Sequence, residues 1–127
     1  MNYKGYKELD SYIESRNLRI AISNLVKTFP NKERFLLIDQ LIRSSRSITA
    51  NIAEGYGRFT YSDTRNFFII SRGSVTETME HLQTAKDENY ISEDEYRLHI
   101  EKCETIFKLI NGYISYLDKS KQKSSSK

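Results

Sequence analysis

One proline and five glycines in 127 residues leave this chain with long uninterrupted stretches in which apolar side chains recur every three or four positions. Backbone that is not broken by proline and does not alternate in hydropathy favours helices over strands. The first stretch carries Leu9, Tyr12, Ile13, Leu18, Ile22, Leu25, Val26 and Phe29. Pro30 closes it by disfavouring helical backbone in the residue before it, and the spacing predicts a helix near 6–28. Phe35, Ile38, Leu41, Ile42, Ser45, Ile48, Ile52 and Tyr56 predict a second over about 31–56.

The run G-R-F-T-Y-S-D then breaks the pattern. Gly57 suits a left-handed helix end, and Thr60 or Ser62 can cap the next helix. That third helix, about 61–89, carries Phe67, Phe68, Ser71, Ser74, Val75, Thr78, Met79, Leu82 and Ala85. S-E-D-E at Ser92–Glu95 reads as a capping box. It opens a fourth helix with Tyr96, Ile100, Cys103, Phe107, Ile110, Ile114 and Leu117, ending near Asp118. Four helices of about 22 to 29 residues joined by loops of about two to five force antiparallel neighbours. The expected fold is all-α, an antiparallel up-down-up-down four-helix bundle over 1–118, followed by a basic flexible tail over 119–127.

A single domain of this length buries roughly two-thirds of its unfolded surface without a staple. The lone Cys103 excludes an internal disulfide, and the N-terminal M-N-Y-K-G-Y-K-E lacks the apolar run of a secretory signal. These features predict a soluble, cytoplasmic protein, since Arg or Lys interrupts every stretch that approaches the ~20 apolar residues of a membrane span. The net charge of +3 is unevenly spread: +2 over 1–31, +2 over 32–60, −2 over 61–91, −3 over 92–118 and +4 over 119–127. The bundle is therefore near neutral with a basic half and an acidic half. The alkaline pI is weak evidence for nucleic acid, because a short solvated tail supplies the excess.

The densest information lies in R-S-S-R-S-I-T-A-N-I-A-E-G-Y-G-R at Arg43–Arg58 and R-G-S-V-T-E at Arg72–Glu77. A turn centred near residue 59 levels Ser45 and Ser47 with Gly73 and Ser71, so small residues on both sides let two backbones approach. The same register predicts a partly buried pair of Glu77 with Arg43 or Arg46, and sets Arg72 near Arg46. Arg43, Ser47, Asn51, Glu54 and Arg58 share one face of the second helix. That face reads as an ordinary polar surface, as a packed seam for subunit contact with Asn51, Glu54, Arg72, Gly73 and Glu77, or as a ligand site.

At F-P-N-K-E-R (Phe29–Arg34), Q-L-I-R-S-S-R-S-I-T-A-N-I-A-E-G-Y-G-R (Gln40–Arg58) and R-N-F-F-I-I-S-R-G-S-V-T-E (Arg65–Glu77) the sequence resembles the bacterial 23S ribosomal RNA intervening-sequence proteins. The resemblance covers about residues 9–117 and departs from the family at Tyr12–Leu18, where a tryptophan-containing motif is common. It implies an antiparallel bundle that assembles into a ring-like homo-oligomer, commonly a pentamer. It also implies kinship with nucleic-acid-binding accessory proteins of diversity-generating retroelements, and it confers no reaction.

Enzymatic chemistry finds little support. His99 and Cys103 stand one helical turn apart, but Cys103 falls on the core stripe, where a cysteine acts as a small apolar residue. No metal, cofactor or catalytic residue is expected. G-Y-G at a helix end lacks the phosphate-loop pattern, and neither histidine has the partners a nucleophile needs. Two functions remain. In one, a ring repeats the basic residues Arg16, Arg19, Lys27, Arg43, Arg46 and Arg58, while Phe59, Tyr61 and Arg65 stack on or neutralise RNA or DNA. The three aromatics at that turn (Tyr56, Phe59, Tyr61) can equally close the end of the bundle. In the other function, the oligomer docks a partner enzyme or ribosomal component, and nucleic-acid contact is incidental.

Overall fold

The computed structural model describes residues 5–125, so the last two positions of the expected basic tail lie outside the described residues. Its four helices are α1 (Asp10–Leu25), α2 (Leu37–Tyr56), α3 (Tyr61–Asp87) and α4 (Glu93–Ser125). α1 packs on α2, α2 on α3, α3 on α4 and α4 back on α1, which is the closed up-down-up-down order; α2 and α3 share the most extensive interface. No strand occurs among the described residues.

Each helix buries one line of residues at three- and four-residue steps. α1 buries Ser11, Ser15, Leu18, Ile22 and Leu25, so serines occupy the upper part of a stripe expected to be apolar, and Ile13 is 41% exposed. α2 buries Leu37, Leu41, Ser44, Ser45, Ile48, Thr49, Ile52 and Gly55. Phe68, fully buried on α3, stacks on Tyr113 of α4 with ring centroids 4.4 Å apart. Cys103, Ile106, Ile110 and Ile114 carry the α4 side of the core.

Helix boundaries follow local chemistry, and several differ from the expectation. Pro30 is followed by a tight turn at Asn31–Glu33, and α2 starts only at Leu37. Glu33 explains the restart: one carboxylate oxygen accepts from the Leu37 amide at 3.3 Å and the other from the Tyr90 hydroxyl at 2.8 Å. Phe35, expected in the core, therefore precedes the helix and is 79% exposed.

Gly57 does not take the left-handed conformation; it stays right-handed at φ −83°. The left-handed residue is Asn89, φ 62°, just past the end of α3. There the Tyr90 amide donates to Ala85 and the Asn89 amide to Lys86, both at 2.9 Å, the paired bonds of a Schellman end.

Thr60 caps α3 by accepting from the Asp63 amide at 3.2 Å. The capping box forms as expected, with Ser92 Oγ accepting from the Glu95 amide at 3.1 Å and Glu95 accepting from the Ser92 amide at 2.9 Å. α4 continues to Ser125, well past the end expected near Asp118.

Candidate nucleic-acid interface

The small residues of α2 and α3 meet in a ladder of hydroxyls. The Ser44 and Thr78 hydroxyls are 2.8 Å apart, Ser74 donates to Ser47 Oγ at 2.9 Å, and Ser71 donates to the Ile48 carbonyl at 2.8 Å. Asn51 joins the seam by donating to the Ser47 carbonyl and hydroxyl at 2.8 and 3.0 Å. No buried side-chain polar atom among the described residues lacks a partner. The interface is thus a satisfied polar network, which favours one register because a slip would break the cross-helix bonds of Ser44, Ser47, Ser71 and Ser74.

That register corrects several expectations. Ser47 meets Ser74, almost one helical turn from the Ser71 level predicted for it. Gly73 is not the close-contact glycine, because a Cβ there would meet nothing within 4 Å. The close approach is at Gly55, where a Cβ would stand 2.8 Å from Phe67 Cβ and 3.1 Å from the Phe68 ring. Glu77 pairs with neither Arg43 nor Arg46: it lies 3.3 Å from His81 on its own helix, while Arg43 lies 3.7 Å from Asp39. Arg72 turns away from Arg46 to donate to Asn111 on α4 at 2.8 Å.

The α2–α3 turn holds Arg58, Phe59, Tyr61 and Arg65, but Tyr61 and Arg65, both half-exposed, are turned onto α4. The Tyr61 hydroxyl donates to Asp118 at 2.6 Å, and Arg65 Nε donates to the same oxygen at 2.8 Å. The Arg65 hydrogen bond, then that of Tyr61, holds the Asp118 carboxyl below the usual carboxylate range. Arg58 pairs with Glu54 at 2.9 Å and lies over the Phe67 ring at 4.8 Å. Phe59 is fully exposed.

The basic residues of α1 and α2 are arranged differently. Arg19 and Arg46 together line a groove of about 510 Å³ between the two helices, with Tyr6, Tyr12, Thr49, Ala50 and Ala53. They also line a smaller adjoining hollow with Ile20, Ser23, Ile42 and Ser45. Tyr12 connects the groove to a third hollow that contains Lys7 and Arg16. Arg19 is anchored by donating to Thr49 Oγ1 at 3.3 Å. Neither Arg16 nor Arg46 has an ion-pair partner among the described residues. Lys27 lies apart, donating to Asn24 at 3.2 Å. Tyr12, expected on the core stripe of the first helix, is half-buried at the groove wall, and Tyr6 and the alanines were not singled out from the sequence; Arg46, Thr49, Ala50 and Ala53 at helical spacing are the signal that marks the floor.

The residues considered for metal chemistry lie in the core. His99 Nδ1 is 2.6 Å from the Glu95 carbonyl, and burial pushes the Cys103 thiol up to about 12, which keeps it protonated. Among the described residues no group of three or more His, Cys, Asp and Glu is gathered to hold a metal. No helix among them is long and apolar enough to cross a membrane.

Comparison with protein families matches residues 7–112 to the 23S rRNA-intervening sequence protein family. Among solved structures, the crystal structure of a protein with unknown function from the S23 ribosomal protein family, from Bacteroides thetaiotaomicron VPI-5482, superposes with a TM-score of 0.77 at 27% sequence identity. The likeness covers 83% of this chain and 95% of that one. No curated protein matches the chain.

Proposed function

The chain belongs to the 23S rRNA-intervening sequence protein family, and from that premise we propose that it acts by binding nucleic acid through the α1–α2 face rather than by catalysing a reaction. The observation that carries this reading is electrostatic. The three adjoining hollows of that face contain Lys7, Arg16, Arg19 and Arg46 and are lined by no carboxylate among the described residues, although the chain holds 17 acidic side chains. A polyanion approaching there meets guanidinium groups without a competing internal acid. Assembly into a homo-oligomer is part of the proposal, because repetition of a modest basic face around a ring raises avidity without new contacts.

The test is RNA affinity measured against salt. Neutralised phosphates release counterions, so affinity falls steeply as salt rises. Binding that stays constant from low to moderate salt rejects the electrostatic face.

A second reading, docking of a protein partner, is favoured by Phe35 and Leu36, adjacent residues that are 79% and 60% exposed. Removing 119–127 separates the two. If RNA affinity vanishes with that segment while assembly persists, the α1–α2 face is not the binding surface and the protein-docking reading gains.

A further inference from the structure

We propose that the groove lined by Tyr6, Tyr12, Arg19 and Arg46 receives a single unpaired base, so that this face selects single-stranded nucleic acid over polyanions that present no free base; the inference rests on the nucleic-acid reading above. The phosphate backbone explains the need for arginines but not the shape of the groove. Its volume of about 510 Å³ lies within the range of about 300–1,000 Å³ that holds a small organic group. Its floor is cut back to Ala50 and Ala53, so a flat ring can lie close to the α2 backbone.

The walls have the chemistry that recognises a base. Tyr6 and Tyr12 meet edge to face, centroids 4.9 Å apart at 80°, which fixes the Tyr12 ring at the groove wall. The Thr49 hydroxyl, 3.3 Å from Arg19 Nη1 and 3.1 Å from the Arg46 carbonyl, holds the Arg19 guanidinium in place on the other side. Aromatic rings and guanidinium planes are the two surfaces on which unpaired bases stack. Arg16 lies in the hollow that shares Tyr12, within the path of the phosphates flanking such a base. A duplex keeps its bases paired and offers this hollow only its backbone.

The experiment compares a short labelled single-stranded RNA with an abasic strand of equal length and charge, on the full chain at one fixed salt concentration. The intact strand is expected to bind about tenfold tighter, the scale of one base–aromatic stack. Ala50→Leu, an exposed position where a larger side chain fills the floor, is expected to reduce that preference to less than about twofold. Tyr6→Leu is the second variant and carries the same expectation.

Equal binding of intact and abasic strands overturns the base site and leaves the electrostatic reading standing. A tenfold preference that survives both substitutions also overturns it, by showing that the base is read elsewhere. Failure of both strands to bind removes the nucleic-acid reading, and the base site with it.

Discussion

A methyl group added at Gly55 would stand 2.8 Å from the Phe67 Cβ, so the contact between α2 and α3 at this level requires a residue without a side chain. Gly55→Ala is expected to destabilise the protein by about 1–3 kcal/mol through overpacking, even though alanine is the better helix former by about 1 kcal/mol. Gly73→Ala, where a Cβ meets nothing within 4 Å, is expected to stabilise by up to about 1 kcal/mol. Urea denaturation of both variants checks the pair, and the opposite signs are the result that matters.

The hydroxyls of Ser44 and Thr78, buried and 2.8 Å apart, make a second stability prediction. Thr78→Val keeps the shape but removes the hydroxyl, at an expected cost of about 0.5–1.5 kcal/mol for the lost hydrogen bond, since Ser44 then keeps only its 3.4 Å bond to the Leu41 carbonyl. Ser44→Ala removes the other partner of the same bond. The double variant is therefore expected to be less destabilised than the sum of the singles by about 0.5–1.5 kcal/mol. Full additivity would mean that the two hydroxyls are not coupled.

Features that close within a few residues were the legible ones. The Ser92–Glu95 capping box could be read directly, because both of its hydrogen bonds join residues three apart. The bundle was legible for a similar reason, since helical periodicity is a property of a short window; on α4, Cys103, Ile110 and Ile114 fall on the buried line as expected, while His99 and Ile106 take the buried places expected for Ile100 and Phe107, which are only half-buried. The register of α2 against α3 was not. It depends on the geometry of the turn: Ser47 meets Ser74, nearly one helical turn beyond Ser71, and the close approach falls at Gly55 rather than Gly73. Long polar side chains were harder still: Arg72 finds Asn111 and Arg65 finds Asp118 on a helix far along the chain, choices that tertiary packing makes. The groove at Tyr6 and Tyr12 exists only once α1 lies on α2, so no spacing within one helix announces it in full.

The clasp of Tyr61 and Arg65 on Asp118 gives a pH dependence. The Asp118 pKa is depressed in the folded protein, so its contribution is present above the unfolded value near pH 3.9 and is lost as pH falls through the lower folded value. Wild type is expected to be more stable than Asp118→Asn at pH 7, with the difference narrowing below about pH 4. Urea midpoints of both proteins at neutral and acidic pH test this; a difference independent of pH would remove the ionised clasp.

Tyr90 gives the opposite case. Its hydroxyl donates to Glu33 at 2.8 Å, and that hydrogen bond is the first cause of a phenol pKa raised to about 12. A raised pKa means that the stabilisation is whole below the unfolded value near pH 10 and disappears as pH rises through about 12. The advantage of wild type over Tyr90→Phe is expected to hold at pH 8 and shrink at alkaline pH. Ultraviolet titration of phenolate formation should show one fewer late-ionising tyrosine in the variant.

The arginines divide by what already holds them, and this predicts separable effects on RNA binding and stability. Arg46 has no ion-pair partner among the described residues and lines the α1–α2 groove, so its charge is available to a phosphate. Arg65 is committed to Asp118 at 2.8 Å. Arg46→Gln is expected to reduce the slope of log affinity against log salt by about one, with stability changed by no more than about 0.5 kcal/mol. Arg65→Gln is expected to lower the urea midpoint by releasing α3 from α4, while leaving the salt slope unchanged. The pair needs both readouts, because a loss of RNA binding in Arg65→Gln with the fold intact would move the binding surface from the α1–α2 groove to the α2–α3 turn, where Phe59 stands fully exposed.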